Sequence, residues 1–396
     1  MIVGITKETY PDERRVALVP GLVPTLSKAG CDVLVETAAG VSAGHADSSY
    51  TAKGAALASS RDEVFSRADV VLQVRGYGAN LDAGRQDLPR LRPGQAVIGL
   101  FEPLTSVRAV DEVARTGASV FALELLPRIT RAQGMDVLSS MATIAGYKAV
   151  LLAAESLPRL FPMLTTAAGT VVPARVFVIG AGVAGLMAIA TARKLGAIVE
   201  AYDVRAAVKE QVQSLGAKFA ELPAASAATE DAGGYAKAQD ETFYQRQREL
   251  MARVVAQSDV VISTAAVPGA KAPMLVASSM VAAMQPGSVI VDLAAERGGN
   301  CEQTRPGETV VANGVTILGP VNLPATVPST ASQLYAKNVV TFLQHVLKDG
   351  KVRLDQDDEI IRETLVCHGG HVSHPKIQES LRALQAGVGA GPAREG

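Results

Sequence analysis

ARVFVIGAGVAGLMAIATARKLGAIVEAYDVR, residues Ala174–Arg205, runs from an apolar strand pattern through a glycine turn into a helix and then a second strand. Gly180, Gly182 and Gly185 spell GxGxxG where the strand ends and the helix begins. In this pattern the first glycine permits a tight turn, the second lets the backbone approach a pyrophosphate, and the third allows close helix–strand packing. Unpaired N–H groups at the helix N-terminus then face the phosphates. Asp203 ends the second strand, 23 residues after Gly180, where an acid bonds the ribose hydroxyls. An acid there repels a 2′-phosphate and favours NAD over NADP, while Arg205, two residues on, works in the opposite direction. Strand, turn, helix and acid agree on a dinucleotide fold; a ligand-free glycine turn is the plainer alternative.

Composition is consistent with that reading. The 396 residues suffice for two domains of ordinary size, and 48% are hydrophobic with only 4% aromatic and no Trp, which suits a core of Ala, Val, Leu and Ile between helices and sheets. A net charge of -1 argues against a nucleic-acid partner. Cys31, Cys301 and Cys367 lie far apart and form no CxxC pair, which fits a reducing cytoplasm. The N-terminus MIVGITKE lacks the pattern of a secretory signal. Val176–Ala192 carries no charge, but its glycines and length read as a buried strand, turn and helix rather than a membrane span.

Outward from the glycine turn, short apolar runs alternate with helical patterns. MIVGITKE, CDVLVETA, DVVLQV and QAVIGLF read as strands, with LVPTLSKAG and TSVRAVDEVARTG as helices. A second series, RVFVIG, IVEAYDV, DVVISTA, SVIVDLA and TILGPV, repeats that order. The fold class is therefore α/β: two Rossmann-like domains with parallel sheets, joined by long helices, with nucleotide in the cleft between them. The boundaries read as 1–138 plus 325–385 for the first domain, 139–324 for the second, and 386–396 as a disordered tail. Ser139–Leu157 is a long helical candidate that bridges the domains, and TASQLYAKNVVTFLQHVLKDG returns the chain to the first. Ala220–Phe243 has no core periodicity and reads as a functional or disordered loop.

ELLPRITRAQGMDVLSS, Glu124–Ser140, packs arginines, a glutamine, an aspartate and serines between apolar segments, just before the bridging helix. From there it can reach a nicotinamide lying beyond the strand ends. Gln133 and Asp136 supply the donor and acceptor a carboxamide needs; Arg128 suits an anion or carbonyl, and Ser139 adds a small donor. The alternative is a capped turn, with Asp136 or Ser139 as an ordinary N-cap.

Longer motifs resemble one family. Lys7–Glu8, the ERRVAL segment from Glu13 to Pro20, RITRAQGMDVLSS, AGYKAV, TAAGTVVPARV, DVRAAVKEQVQSLGAKF, GGYAKAQ, PGSVIVDLAAERGGN and YAKNVVTFL follow in order across nearly the whole chain. They are similar to the soluble NAD(H)-binding component, domain I of the alpha subunit, of proton-translocating NAD(P) transhydrogenase. The resemblance implies that Arg128, Gln133, Asp136 and Ser139 position the nicotinamide for hydride transfer. It implies cofactor contacts at Ile129 and Thr130; at Gly180, Ala181, Gly182, Val183 and Gly185; and at Asp203, Val204 and Arg205. It adds Gly234 and Tyr235 in a mobile loop, Gln247, and Thr264, Ala265 and Ala266. The implied reaction passes hydride directly from NADH to NADP+ held by a beta subunit, coupled to proton movement through a membrane-spanning subunit. The implied assembly is a homodimer, held on the inner, cytoplasmic face of the membrane by its partners and active only with them. Such a transfer needs orientation and exclusion of water rather than a general acid, which suits a polar loop without histidine.

Two other functions use the same fold. The N-terminal pattern is also similar to alanine dehydrogenases, with Arg15 as a carboxylate ligand. That family's lysine position holds Arg75 here, and VIGLFEPLTS lacks its histidine, so acid–base chemistry on an imine or keto acid lacks its agent. A non-catalytic NAD(H) sensor would not need the polar loop. CHGGHVSH offers Cys367, His368, His371 and His374 as metal ligands, against a histidine-rich turn; no metal is expected.

Overall fold

The structure is a computed structural model and describes residues 1–221, 241–266 and 269–389. Gly234 and Tyr235 lie outside the described residues, as does nearly all of the Ala220–Phe243 insertion. The chain divides into two compact units, Met1–Met141 with Ala325–Gly396, and Ala142–Pro324.

The first segment supplies β1 (Ile2–Ile5), β2 (Asp32–Glu36), β3 (Ala56–Ala58), β4 (Val70–Arg75), β5 (Ala96–Leu100) and β6 (Ser119–Ala122). The second unit contains the hairpin β7 (Leu164–Thr166) and β8 (Gly169–Val171), then β9 (Arg175–Ile179), β10 (Ile198–Tyr202) and β11 (Lys218–Phe219). It continues with β12 (Val260–Ser263), β13 (Val289–Asp292), β14 (Thr309–Ala312) and β15 (Val315–Leu318). The returning segment adds the short pair β16 (Leu347–Lys348) and β17 (Lys351–Val352), then β18 (Leu365–His368) and β19 (His371–Val372).

Among the described residues, the first sheet runs β19-β18-β6-β5-β4-β1-β2-β3 and the second β11-β10-β9-β12-β13-β15-β14. Counted within each unit, the parallel strands of both sheets follow the doubly wound order 3-2-1-4-5-6, which places a topological switch between β1 and β4 and between β9 and β12. The sheets are not wholly parallel. β14 runs antiparallel to β15, and β18 antiparallel to β6 and β19, so hairpins close one edge of each sheet.

Side-chain alternation explains the layers. Val176 and Val178 of β9 pack on one face of the second sheet with Ala188 and Ile189; Phe177 and Ile179 pack on the other with Leu250 and Met251. Both faces are covered, so the strands read as continuous apolar runs. Val176–Ala192, the uncharged run, resolves into β9, the glycine turn and most of the helix Val183–Lys194. Among the described residues one helix, Val137–Ser156, is long and apolar enough to cross a membrane by length and composition. Its Ala149, Val150 and Ala153 pack in the core of the second unit. The return helix Pro328–Val346 buries Tyr335, Ala336, Val339, Val340, Phe342 and Leu343. The helix Pro375–Gly389, which buries Ile377 near its start, extends into the stretch read as a tail; residues 390–396 lie outside the description.

Candidate functional site

At the end of β9 each glycine has its own steric reason. Gly180 adopts φ +94, where a side chain strains the backbone, and a Cβ there would lie 2.6 Å from Thr264 Oγ1. A Cβ on Gly185 would stand 1.8 Å from the Gly180 carbonyl oxygen, so the helix can start this close to the strand only without one. A Cβ on Gly182 would meet only an Arg205 guanidinium nitrogen, at 4.0 Å, which leaves its backbone open to approach. Gly182 caps the helix Val183–Lys194 without a side chain, and the exposed Val183 follows it. This open backbone at a helix N-terminus fits a pyrophosphate.

Asp203 follows β10 and faces the turn. Its carboxylate accepts hydrogen bonds from Ala181 N (2.7 Å) and from Arg205 N, Nε and Nη2 (2.9 Å each). The two charges that the sequence set in opposition are thus a bidentate pair beside the glycine turn, with Val204 between them. Gln247 is buried and donates to Tyr202 Oη at 3.1 Å, so in this structure it braces the strand before Asp203.

The neighbouring strand β12 ends against the same turn. Thr264 Oγ1 donates to the Gly180 carbonyl at 3.0 Å. Ala265 is held by a residue that sequence reasoning missed. Asn300 Oδ1 accepts from Ala265 N (3.0 Å), and Asn300 Nδ2 donates to the carbonyls of Ala265 and Pro273 (2.8 Å each). Asn300 N donates in turn to Asp292, a buried carboxylate that also accepts from Ser263 Oγ, Cys301 N and Thr304 Oγ1. The network leaves Ala266 exposed at its edge. The only hint in the sequence was an amide residue closing the GGN of ERGGN.

The polar loop belongs to the first unit. It leaves β6, makes a 3-10 turn over Thr130–Met135 and enters the helix Val137–Ser156. Ala132 and Met135 are buried, while Arg128, Thr130 and Gln133 are exposed and Ile129 is partly covered. Asp136 caps the helix: Oδ1 accepts from Ser139 N (2.9 Å) and Oδ2 from Ser139 Oγ (2.6 Å). The capping alternative therefore describes Asp136 as it stands, with Ser139 inside the helix as the residue it caps and Gln133 and Arg128 exposed beside them.

At the loop's root, the Glu124 carboxyl is enclosed. One of its oxygens accepts from Phe101 N (2.6 Å) and Glu102 N (2.5 Å), and the other is buried with no partner. Burial, chiefly, pushes this carboxyl up to about 7. Glu8 is pushed up to about 7 in the same way, with the charge of Glu13 adding, although Val74 N and Arg75 N donate to it. Arg15 is buried and chelates Glu13 at 2.7 and 2.6 Å. Arg75 reaches the same carboxylate at 3.4 Å and lies over the Tyr10 ring. The guanidinium considered for a substrate carboxylate, Arg15, and the one at the dehydrogenases' lysine position, Arg75, are both engaged by the internal carboxylate of Glu13.

The Cys367–His374 stretch is the β18–β19 hairpin, turned by Gly369 and Gly370 at left-handed φ. Cys367 is buried, with its thiol pushed up to about 12; His368 bonds Ser119 Oγ, and His371 is exposed. Among the described residues no group of three or more His, Cys, Asp or Glu is placed to hold a metal ion.

Two family models cover this architecture: "Alanine dehydrogenase/PNT, N-terminal domain" over residues 4–145 and "Alanine dehydrogenase/PNT, C-terminal domain" over residues 149–375. The chain belongs to the alanine dehydrogenase/PNT family. Within that family it is 45% identical over 380 residues to the first of the chains that make up NAD(P) transhydrogenase subunit alpha of Rhodospirillum rubrum, covering 95% of this chain and 99% of the relative. The crystal structure of transhydrogenase from Sinorhizobium meliloti superposes with a TM-score of 0.84 at 45% identity, over 94% of this chain and 100% of that one. The alanine dehydrogenase of Mycolicibacterium smegmatis is more distant, 28% identical over 388 residues, or 96% of this chain and 97% of the relative. The alanine dehydrogenase/PNT chain described here is thus more similar to the transhydrogenase branch of its family.

Proposed function

We propose that this chain is the NAD(H)-binding component of a proton-translocating transhydrogenase. The observation that carries the reading is the 45% identity to the Rhodospirillum rubrum transhydrogenase alpha chain, over 95% of this chain and 99% of the relative. Bound NADH supplies a hydride, two electrons and one proton from its C4, which reduces NADP+ on a beta subunit and leaves NAD+ behind.

The protein's own residues do the remaining work. The backbone at Gly180–Val183 holds the pyrophosphate, and Asp203 favours a ribose without a 2′-phosphate. Thr264, Ala265 and Ala266 border the site. Arg128, Gln133 and Asp136 orient the nicotinamide, and Ser139 holds the Asp136 carboxylate in place. Proton coupling belongs to a membrane-spanning partner, and the assembly is a homodimer held at the inner face of the membrane by its partners. The engagement of Arg15 and Arg75 by Glu13 weighs against an alanine dehydrogenase activity.

Orientation predicts a split between binding and rate. In Asp136→Asn the bond from Ser139 N to the cap survives, since Asn caps as well as Asp, while the charge and the acceptor for Ser139 Oγ are lost. Asp136→Asn and Gln133→Ala are expected to slow single-turnover hydride transfer by about 100-fold, the scale of an ångström-sized misplacement. The NADH Kd, measured by titration, is expected to move less than about threefold, well under the 1.4 kcal/mol of a tenfold change. Equal loss of rate and affinity would defeat the positioning role.

A further inference from the structure

The Thr130–Met135 turn is tethered to elements distant in sequence. Asn338, on the return helix Pro328–Val346, donates from Nδ2 to the Gly134 carbonyl at 2.9 Å. Gly134 lies between Gln133 and Asp136, and Asp136 N donates back to Gln133 O at 3.3 Å. A second tether runs from Arg131 to Asp358 at 3.4 Å, where His345 also bonds the carboxylate at 3.0 Å. The Arg131 side chain is 52% exposed, so that pair holds the turn weakly.

Asn338 is different. It is 7% exposed in a helix that otherwise buries Tyr335, Val339 and Phe342 nearby. Its Oδ1 is buried without a hydrogen-bond partner. A buried amide left half satisfied destabilises a helix that an apolar residue of similar size would suit better. Its one bond goes to the backbone of the polar loop, next to the groups assigned to the nicotinamide.

Resting on the transhydrogenase reading, we propose that Asn338 is a positioning residue: it fixes the Gly134 carbonyl, sets the orientation of Gln133 and Asp136, and controls the hydride-transfer rate rather than nucleotide affinity. The test uses the full chain with Asn338→Asp, which keeps the volume and removes the donor, and Asn338→Ala in case a buried carboxylate prevents folding. Amide hydrogen exchange reports the turn without any nucleotide, through Ala132, Asp136 and Ser139, whose N–H groups bond within the loop. Exchange there is expected to accelerate about tenfold, a local loss of about 1.4 kcal/mol, with the second unit unchanged. With an NADP-binding partner domain added, single-turnover transfer is expected to fall at least tenfold and the primary isotope effect with 4-deuterated NADH to rise, while the NADH Kd stays within about threefold. Unchanged exchange and rate in the variants, beside an active wild type, overturn the proposal alone. Faster exchange throughout, with rate and affinity falling together, also overturns it, as a general loss of stability. No transfer by the wild type overturns the proposal together with the reading it rests on.

Discussion

The Asp203 carboxylate is held by Ala181 N and by Arg205. The spacing from Gly180 marked it as the ribose acid, and the structure puts it beside the glycine turn. What spacing did not carry is that all the acceptor positions of its carboxylate are taken, three of them by Arg205. On the proposed function a ribose hydroxyl would therefore compete with the Arg205 guanidinium, which Asp203 pairs before a 2′-phosphate could use it. Asp203→Ser is expected to release that guanidinium and raise NADPH affinity at least about tenfold relative to NADH, a change near 1.4 kcal/mol. Adding Arg205→Ala should abolish the gain. Titration of both nucleotides against the single and double variants checks this; a gain that persists without Arg205 contradicts the account. Asn338 lies further beyond sequence reading: its one signal is an amide inside an apolar helical stripe, and its bond to Gly134 joins residues 204 positions apart.

Elements were legible where an apolar run stood out from its flanks; β6, buried at every residue, was not read as a strand because SVFA is short and runs straight into LELL. β1, β4, β9, β12 and β13 are central strands covered on both faces, so their sequences are mainly apolar, with the buried Gln73 interrupting β4. β3, β14, β18 and β19 are edge or near-edge strands, short or half exposed, and their sequences do not stand out from turns. CHGGHVSH is the clearest case: a glycine-turned hairpin pairs His368 with His371 across strands, which looks like ligand clustering in one dimension. Contacts between helices were not legible either. A Cβ on Gly146 would sit 2.1 Å from the Ala184 carbonyl oxygen, at the start of the glycine-turn helix. Helix propensity alone would make Gly146→Ala stabilising by about 1 kcal/mol. The contact reverses the sign, because backbone cannot yield as a side-chain tip can. Gly146→Ala is expected to lower unfolding free energy by about 1–3 kcal/mol and to weaken NADH binding by shifting that helix. Gly21, with nothing within 4 Å, is the control, and a stabilised Gly146→Ala protein in denaturant titration refutes the packing argument.

For the whole molecule, Glu8 and Glu124 give stability a pH dependence. Both carboxyls stand at about 7 in the folded chain, against an ordinary 4.5. The folded state therefore holds protons that the unfolded state has released between those values. The resulting stabilisation is fully present below about 4.5 and is lost as pH rises through about 7. Each group contributes on the order of 3 kcal/mol to that slope. Unfolding free energy is expected to fall between pH 5 and 8, and Glu124→Gln to remove about half of the fall these two groups cause, whatever its effect on absolute stability. An identical slope in the variant, measured by denaturant titration at several pH values, would rule this out. A carboxyl raised this far was not legible from Glu124 in ELLPRI, because burial depends on what packs around the root of the loop.

On the proposed function, NADH bound to this chain gives its hydride to a nucleotide held by another protein. The direct measurement is NADH-dependent reduction of a spectrally distinct NADP analogue, followed by absorbance with and without an NADP-binding transhydrogenase partner domain. Turnover is expected only when the partner is present. A competent partner and demonstrated NADH binding without any turnover would contradict the proposed function.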